Sequence, residues 1–360
     1  MSKEPLLAWT QKGLYCAAGD FYIDPHRVVE RAVTTHAHSD HARRGAKNYF
    51  TAKCGVGLLK ARLGKDINVQ GIPYGETFKI GPVKLSFHSA GHILGSAQVR
   101  IEHQGEVWVA SGDYKRDSDP SCDPFEVVPC DTYVTEATFG TPKYQWDKNS
   151  KHGEDIHRWW MNNARANMNS LLFGYSLGKA QRILAELAPY ADRPVIIHDT
   201  VKELTECYRA EGRKLAPTVS LSDLPPNYEL RGELILAPPS LLRTEWLERL
   251  GLFQTAFASG WMHGGYGAHG QQYDHGFVMS DHADWNDIHR TIEESGAKRV
   301  FVQHRSGALI RSLRKKGLDA HPVEVLDPKA YAKLPEQTLS LFDFGANAKA
   351  EPNPAKEGTL

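Results

Sequence analysis

The chain has 360 residues with 43 basic and 43 acidic side chains, and 41% of it is hydrophobic. This neutral, ordinary globular composition leaves room for two domains or for one large layered unit with an insertion. Five scattered cysteines without a Cys-x-x-Cys pair indicate neither a disulfide framework nor a thiolate zinc knuckle, and the length excludes a small disulfide-stapled scaffold. No window approaches the roughly 20 apolar residues of a membrane span, and the first residues lack a signal-peptide core, so a cytoplasmic location is expected.

Up to about residue 140, short β-branched or apolar runs are punctuated by glycine. Gly19–Asp24, Arg31–Thr35, Val83–Phe87, Gln98–Ile101, Val107–Ala110 and Tyr133–Thr135 are predicted strands. Helical spacing predicts a helix over Ala52–Arg62 and another opening near His41. From about Ser150 the texture changes to a helix over Glu154–Asn167, then a strand at Leu171–Ser176 followed by an amphipathic helix over Gly178–Leu187. Val195–Ile197 with Val201–Arg209, and Leu234–Leu236 with Leu241–Leu250, repeat the strand-and-helix alternation. Near Gly260 the chain turns rich in glycine and histidine. A strand at Gly276–Ser280, a helix over Trp285–Ser295 and a strand at Arg299–Gln303 follow. The division expected is a first domain over 1–149, an inserted α/β unit over 150–273, completion of the first domain over 274–344, and an aperiodic, disordered tail over 345–360.

The run Thr35-His36-Ala37-His38-Ser39-Asp40-His41 directly follows a predicted strand. Residues two apart on an extended segment point the same way, so His36 and His38 can converge on one metal ion. Asp40 and His41, at the following turn, can face a second. Imidazole with carboxylate suits zinc, and also manganese or iron. His92 follows the strand ending at Phe87, among glycines that permit close backbone approach. Asp113 follows the strand ending at Ala110, where a carboxylate can bridge two cations. Both are taken as further ligands, at strand ends where loops converge.

With these ligands in order, the sequence resembles the metallo-β-lactamase superfamily. Thr135-Glu136-Ala-Thr-Phe-Gly140, Phe173-Gly-Tyr-Ser-Leu-Gly-Lys-Ala-Gln181, Met279-Ser-Asp-His282 and Val302-Gln-His304 narrow the likeness to the β-CASP nucleases, nearest the bacterial exonucleases associated with DNA ligase. The likeness covers most of residues 10 to 325. It implies an α/β fold, a metallo-β-lactamase αββα sandwich with an inserted β-CASP domain. It implies two divalent metal ions, zinc foremost: His36, His38, His92 and Asp113 would hold the first, and Asp40, His41, His304 and the bridging Asp113 the second. Asp24 would brace the histidine loop and Glu136 would orient a ligand histidine. His282 would sit by the scissile phosphate, to stabilise charge or protonate the leaving oxygen. This chain carries His304-Arg305-Ser306-Gly307 where relatives commonly have His-Gly.

The implied activity is hydrolysis of phosphodiesters by metal-activated water. Basic runs after the metal motif and around His304, free of acidic residues over 42–65 and 298–316, favour a polyanion. Arg43, Arg44, Lys179, Arg305 and Arg311 are the expected backbone contacts. DNA, taken as single strands or ends by an exonuclease in repair, in association with an ATP-dependent DNA ligase, follows from the resemblance. An RNA-processing nuclease and a small-molecule thioester or lactam hydrolase are the alternatives. His263, His269 and His275 are left out of the site.

Overall fold

The structure is a computed structural model that describes residues 4–241, 245–264, 267–268, 271–303, 306–327 and 329. His269, His304, Arg305 and the 345–360 tail lie outside the described residues.

Three large sheets organise the chain. The first runs in spatial order Ala8–Thr10, Gly13–Cys16, Phe21–Ile23, Arg31–Val33, Asn48–Ala52 and Val69–Ile72. It begins as an antiparallel meander and becomes parallel from Phe21–Ile23 onward. The second runs Asp319–Pro322, Arg299–Val302, Thr132–Thr135, Glu106–Ala110, Ala97–His103, Val83–Ser89 and Thr77–Ile80. Its first half is parallel and its second antiparallel.

The period of two along each strand decides how these sheets stack. Leu14, Ile23 and Val33 of the first share one core with Leu85, Phe87, Val99, Trp108, Val134 and Phe301 of the second. The opposite side chains of the second sheet, among them Val109, Tyr133, Val300 and Val302, meet Ile288 and Ile292 of the helix Trp285–Ser295 and Leu309 and Leu313 of the helix Gly307–Lys315. On the outer face of the first sheet, Ala32 and Tyr49 meet Leu58, Leu59 and Leu63 of the helix Val56–Leu63. Each such fully buried apolar side chain contributes about 1.5–3 kcal/mol relative to exposure.

The third sheet is wholly parallel, in the order Thr218–Ser220, Val195–Ile197, Leu234–Ala237, Asn169–Phe173, Phe253–Ala258 and His275–Phe277. Ile156 and Trp160 of the helix His152–Arg165 and Ile183, Leu184 and Leu187 of the helix Lys179–Leu187 cover one face. Trp246, Leu247, Leu250 and Tyr273 pack on the other. Burial on both faces is why its central strands read as continuous apolar runs. In the helix Asp199–Ala210, Val201 joins this core while Leu204 and Tyr208 join the cluster around the helix Val56–Leu63. The third sheet lies in sequence between Thr132–Thr135 and Arg299–Val302, which pair side by side in the second with Thr135 opposite Val302.

Two expected helices are not formed. Near His41 there is a single turn, with the N–H groups of His41 and Ala42 both donating to the His38 carbonyl. Gly45, at φ 124°, then sends the chain into the strand Asn48–Ala52. Over Leu241–Leu250 the described residues form short 3-10 turns, Pro239–Leu241 and Glu245–Leu250. No described helix is long and apolar enough to cross a membrane.

Candidate metal centre

The edge where strands of the first two sheets end collects the histidines. His36 follows the strand Arg31–Val33 by three residues, His92 follows Val83–Ser89, and Asp113 follows Glu106–Ala110. Two glycines make the approach possible. Gly91 has φ 69°, and a Cβ there would stand 2.3 Å from the Lys115 carbonyl oxygen; Gly112 has φ 55°, and a Cβ would stand 2.7 Å from Thr35 Cβ. Both positions combine a left-handed backbone with closeness that only glycine tolerates.

One ligand atom from each of His36, His38, His92 and Asp113 lies within 4.8 Å of the others. Nε2 of His36 and Nε2 of His92 stand 3.0 and 3.1 Å from Nδ1 of His38. Asp113 Oδ2 is 3.5 Å from His36 Nε2, 3.4 Å from His41 Nε2 and 3.8 Å from His92 Nε2. Asp40 Oδ2 is 3.6 Å from His41 Nε2, with the Asp40 side chain 69% exposed. Asp113, Glu136 and His282 form a second group within the same 4.8 Å limit.

In each histidine the outward nitrogen is engaged and the other faces inward. His38 Nε2 donates to the Leu177 carbonyl at 3.1 Å, and His92 Nδ1 donates to the Asp281 carbonyl at 2.6 Å. Thr35 Oγ1 donates to Asp24 Oδ2 at 2.6 Å and accepts from His36 Nδ1 at 3.1 Å. Asp24 Oδ2 also accepts from His41 Nδ1 at 2.8 Å, while Oδ1 accepts from Thr35 N–H at 2.8 Å. Partners of this kind set the tautomer and aim the free lone pair. Asp24, the strand-end residue singled out in the sequence, adopts φ 45° to reach all of them.

Burial lowers the pKa of His36, His38 and His92, leaving neutral imidazoles whose lone pairs can bind a cation. His41 departs from this. Burial opposes its charge, but the Asp113 and Asp24 carboxylates overcome that and hold its pKa well above the usual value. Burial likewise opposes ionisation of Asp113, and the charges of His41 and His282 bring its pKa well below the usual carboxylate range. Asp113 Oδ1 is buried and has no hydrogen-bond partner among the described residues. An anion held this way asks for a cation, and the donor set of imidazoles and carboxylates fits zinc or a similar divalent ion.

Among the described residues, Glu136 is not bonded to His36, His38, His41 or His92. It accepts from the Tyr114 N–H at 2.8 Å and from His282 Nδ1 at 3.0 and 2.9 Å through its two oxygens. Burial opposes the His282 charge, yet Glu136 and Asp113 raise its pKa to about 9, so the ring is protonated at neutral pH. A cleft of about 740 Å³ opens over His38, Asp40, His92, Asp113 and His282. Another of about 540 Å³ is lined by Asp24, Asp40 and His41.

The basic residues fare unevenly. Arg43 and Arg311 are exposed. Arg44 is exposed and pairs with Asp66 at 2.7 Å. Lys179 is a correction: it is 2% exposed and its ammonium binds Asp281 Oδ1 at 2.6 Å and the Met279 carbonyl. Burial lowers its pKa to about 8 against the opposing pull of Asp281. A lysine at a helix start looks solvent-facing in sequence, but here the helix N-terminus is wedged between the two units. The Leu177 and Asp281 carbonyls went unforeseen because main-chain acceptors leave no residue-type signature.

The architecture is a mixed α/β protein with several sheets, carrying a histidine and aspartate cluster able to hold metal. No protein-family model matches the chain. It is 30% identical over 312 residues to the "Probable DNA ligase" of Opitutus terrae, covering 86% of this chain and 30% of that protein. It is 32% identical over 126 residues to the endoribonuclease YSH1 of Saccharomyces cerevisiae, covering 34% of this chain and 16% of that one. With the ribonuclease TTHA0252 of Thermus thermophilus it shares 29% over 147 residues, 33% of this chain and 34% of that one. The chain thus spans about a third or less of the length of these relatives. These likenesses support the metallo-β-lactamase/β-CASP family for this chain, without distinguishing its branches. A crystal structure of a protein of unknown function from Enterococcus faecalis V583 superposes with TM-score 0.53 at 14% identity, covering 76% of this chain and 74% of that one.

Proposed function

We propose that the chain is a metal-dependent nuclease that hydrolyses phosphodiester bonds of DNA, taking single strands or strand ends. His36, His38, His92 and Asp113 would hold one divalent ion, and Asp40, His41, Asp113 and His304 a second. The observation that carries this reading is Asp113 Oδ1, buried without a partner among the described residues and surrounded by inward-facing imidazoles. Divalent ions bound there would polarise the phosphodiester and bring the pKa of water toward neutrality.

The remaining work falls to the chain's own groups. Asp24, Thr35 and the Leu177 and Asp281 carbonyls keep the four imidazoles turned inward. His282, protonated through Glu136 and Asp113, borders the cleft and is placed to stabilise charge on the departing oxygen or hand it a proton. The reading takes 1–149 with 274–344 as a metallo-β-lactamase sandwich and 150–273 as its β-CASP insert. Exposed Arg43 and Arg311 remain backbone contacts in it.

The preference for DNA is supported by the likeness to the "Probable DNA ligase", which runs along 86% of the chain where the matches to ribonucleases reach about a third. A role in repair beside an ATP-dependent ligase rests on the same likeness. RNA is the second reading, favoured by the names of those shorter matches. Matched end-labelled DNA and RNA strands, incubated with protein supplied with zinc or manganese, test the choice. Shortening of DNA that a chelator abolishes is expected. Cleavage of RNA alone replaces DNA with RNA, and turnover of a thioester with no phosphodiester cleavage removes the nuclease reading.

A further inference from the structure

We infer that Trp261 and Tyr175 form a nucleobase-stacking subsite in the cleft beside the metal centre, with Arg62 across the cleft for a backbone phosphate. The strand bound there must therefore be unpaired. This rests on the nuclease reading and adds which part of the substrate is held.

Two neighbouring parallel strands bring both rings to one cleft. Asn169–Phe173 and Phe253–Ala258 pair with Phe173 opposite Phe257, so the loops leaving their carboxyl ends emerge side by side, where open parallel sheets collect ligands. Tyr175 comes two residues after the first strand and Trp261 three after the second. Tyr175 is 44% and Trp261 39% exposed, and both line the cleft that holds His38, Asp113 and His282.

The Trp261 ring is backed by Phe139, with centroids 4.7 Å apart and planes at 49°. Phe139 in turn meets Tyr144 and Trp146 edge-on at 4.7 and 4.9 Å. A ring so supported is already ordered, and binding on it costs little conformational entropy. Phe139 also lies 5.9 Å from His282, which sets the platform about one ring away from the phosphodiester in the proposed site. Arg62 is exposed at the end of the helix Val56–Leu63 and lines the same cleft.

Aromatic faces joined to a cation are the combination that binds single-stranded nucleic acid, since every base offers a π-face and the phosphates supply the charge. A duplex keeps those faces inside its stack. A small thioester or lactam needs neither.

The test compares a fluorescent single strand with a strand of equal length made of abasic sites, by anisotropy with a chelator present so that no cleavage intervenes. The wild-type chain is expected to bind the base-bearing strand about tenfold tighter or more. Trp261→Leu and, on the other loop, Tyr175→Leu should each pull that ratio toward one, and Trp261→Phe, which keeps a ring, should restore most of it. Equal affinity of the wild type for both strands, or a ratio that neither leucine substitution moves, overturns the subsite. Hydrolysis of the base-bearing strand in a parallel metal-supplied reaction reads the nuclease assignment separately: its absence overturns that assignment, while the ratio still decides the subsite.

Discussion

Asp113 concentrates the chemistry of the centre in one carboxylate. Oδ2 lies within 3.4–3.8 Å of three imidazole nitrogens and Oδ1 is buried with no partner among the described residues. Asp113→Asn keeps the shape and removes the charge. We expect elemental analysis to fall from two metal equivalents per chain to one or fewer, and hydrolysis to fall by more than the roughly 10–100-fold typical of changes one shell further out. Wild-type metal content at wild-type rate would count against the bridging role. At this scale the convergence of His36, His38, His92 and Asp113 was legible, because ligand chemistry restricts residue type and strand ends restrict spacing. Lys179 was misread, since burial depends on what a distant part of the chain lays over a residue, and nothing in Leu-Gly-Lys-Ala announces Asp281.

Elements carry their own titrations. His152, the first residue of the helix His152–Arg165, has its pKa lowered to about 4, by burial first and then by the charges of Arg182, Lys179 and Lys115. Above pH 6.5 the ring is neutral whether folded or unfolded and adds nothing. Below 6.5 the unfolded chain takes up a proton that the folded one refuses, so stability falls as pH drops, until the folded pKa near 4. The loss across that window is about 2 kcal/mol once solvent access is allowed for. Urea unfolding of the wild type and His152→Gln at pH 7.5 and 5 should show a difference that shrinks with pH; a constant difference would remove His152 as the cause. Helices with strong two-sided periodicity, such as Trp285–Ser295, were readable from sequence, and the strands Val69–Ile72 and Thr77–Ile80 were not. Their short runs carry too little alternation to separate strand from loop.

At the scale of the molecule, a buried ionic cluster joins the parallel third sheet and its helices to the part of the chain that carries the second sheet. Lys115 and Asp119 come from the loop after Glu106–Ala110, Lys179 and Arg182 from the helix Lys179–Leu187, and Asp281 from the returning chain. Lys115 pairs with Asp119, while Asp281 Oδ1 receives Lys179 at 2.6 Å and Arg182 at 3.2 Å. The Asp281 carbonyl holds His92, so the cluster braces a proposed ligand from behind. Lys179→Met removes the ammonium nearest Asp281 Oδ1 and leaves Arg182, at 3.2 Å, as its remaining charged partner. We expect about 1.5–3 kcal/mol of lost stability in urea unfolding, accompanied by slower hydrolysis; unchanged stability would show that the joint does not depend on this lysine.

The sequence signalled an insertion through its shift from glycine-punctuated strands to repeated strand-and-helix units. It could not show where the seam would close, because pairing partners far apart in sequence carry no mutual mark. That seam, Thr132–Thr135 against Arg299–Val302, has a consequence for biosynthesis. While the ribosome is still making the parallel unit, the earlier strand has no neighbour on that side, and its open edge is a template for aggregation. A parallel sheet pairs segments far apart in sequence and forms slowly, so that edge stays open until the whole parallel unit and the strand Arg299–Val302 have been made.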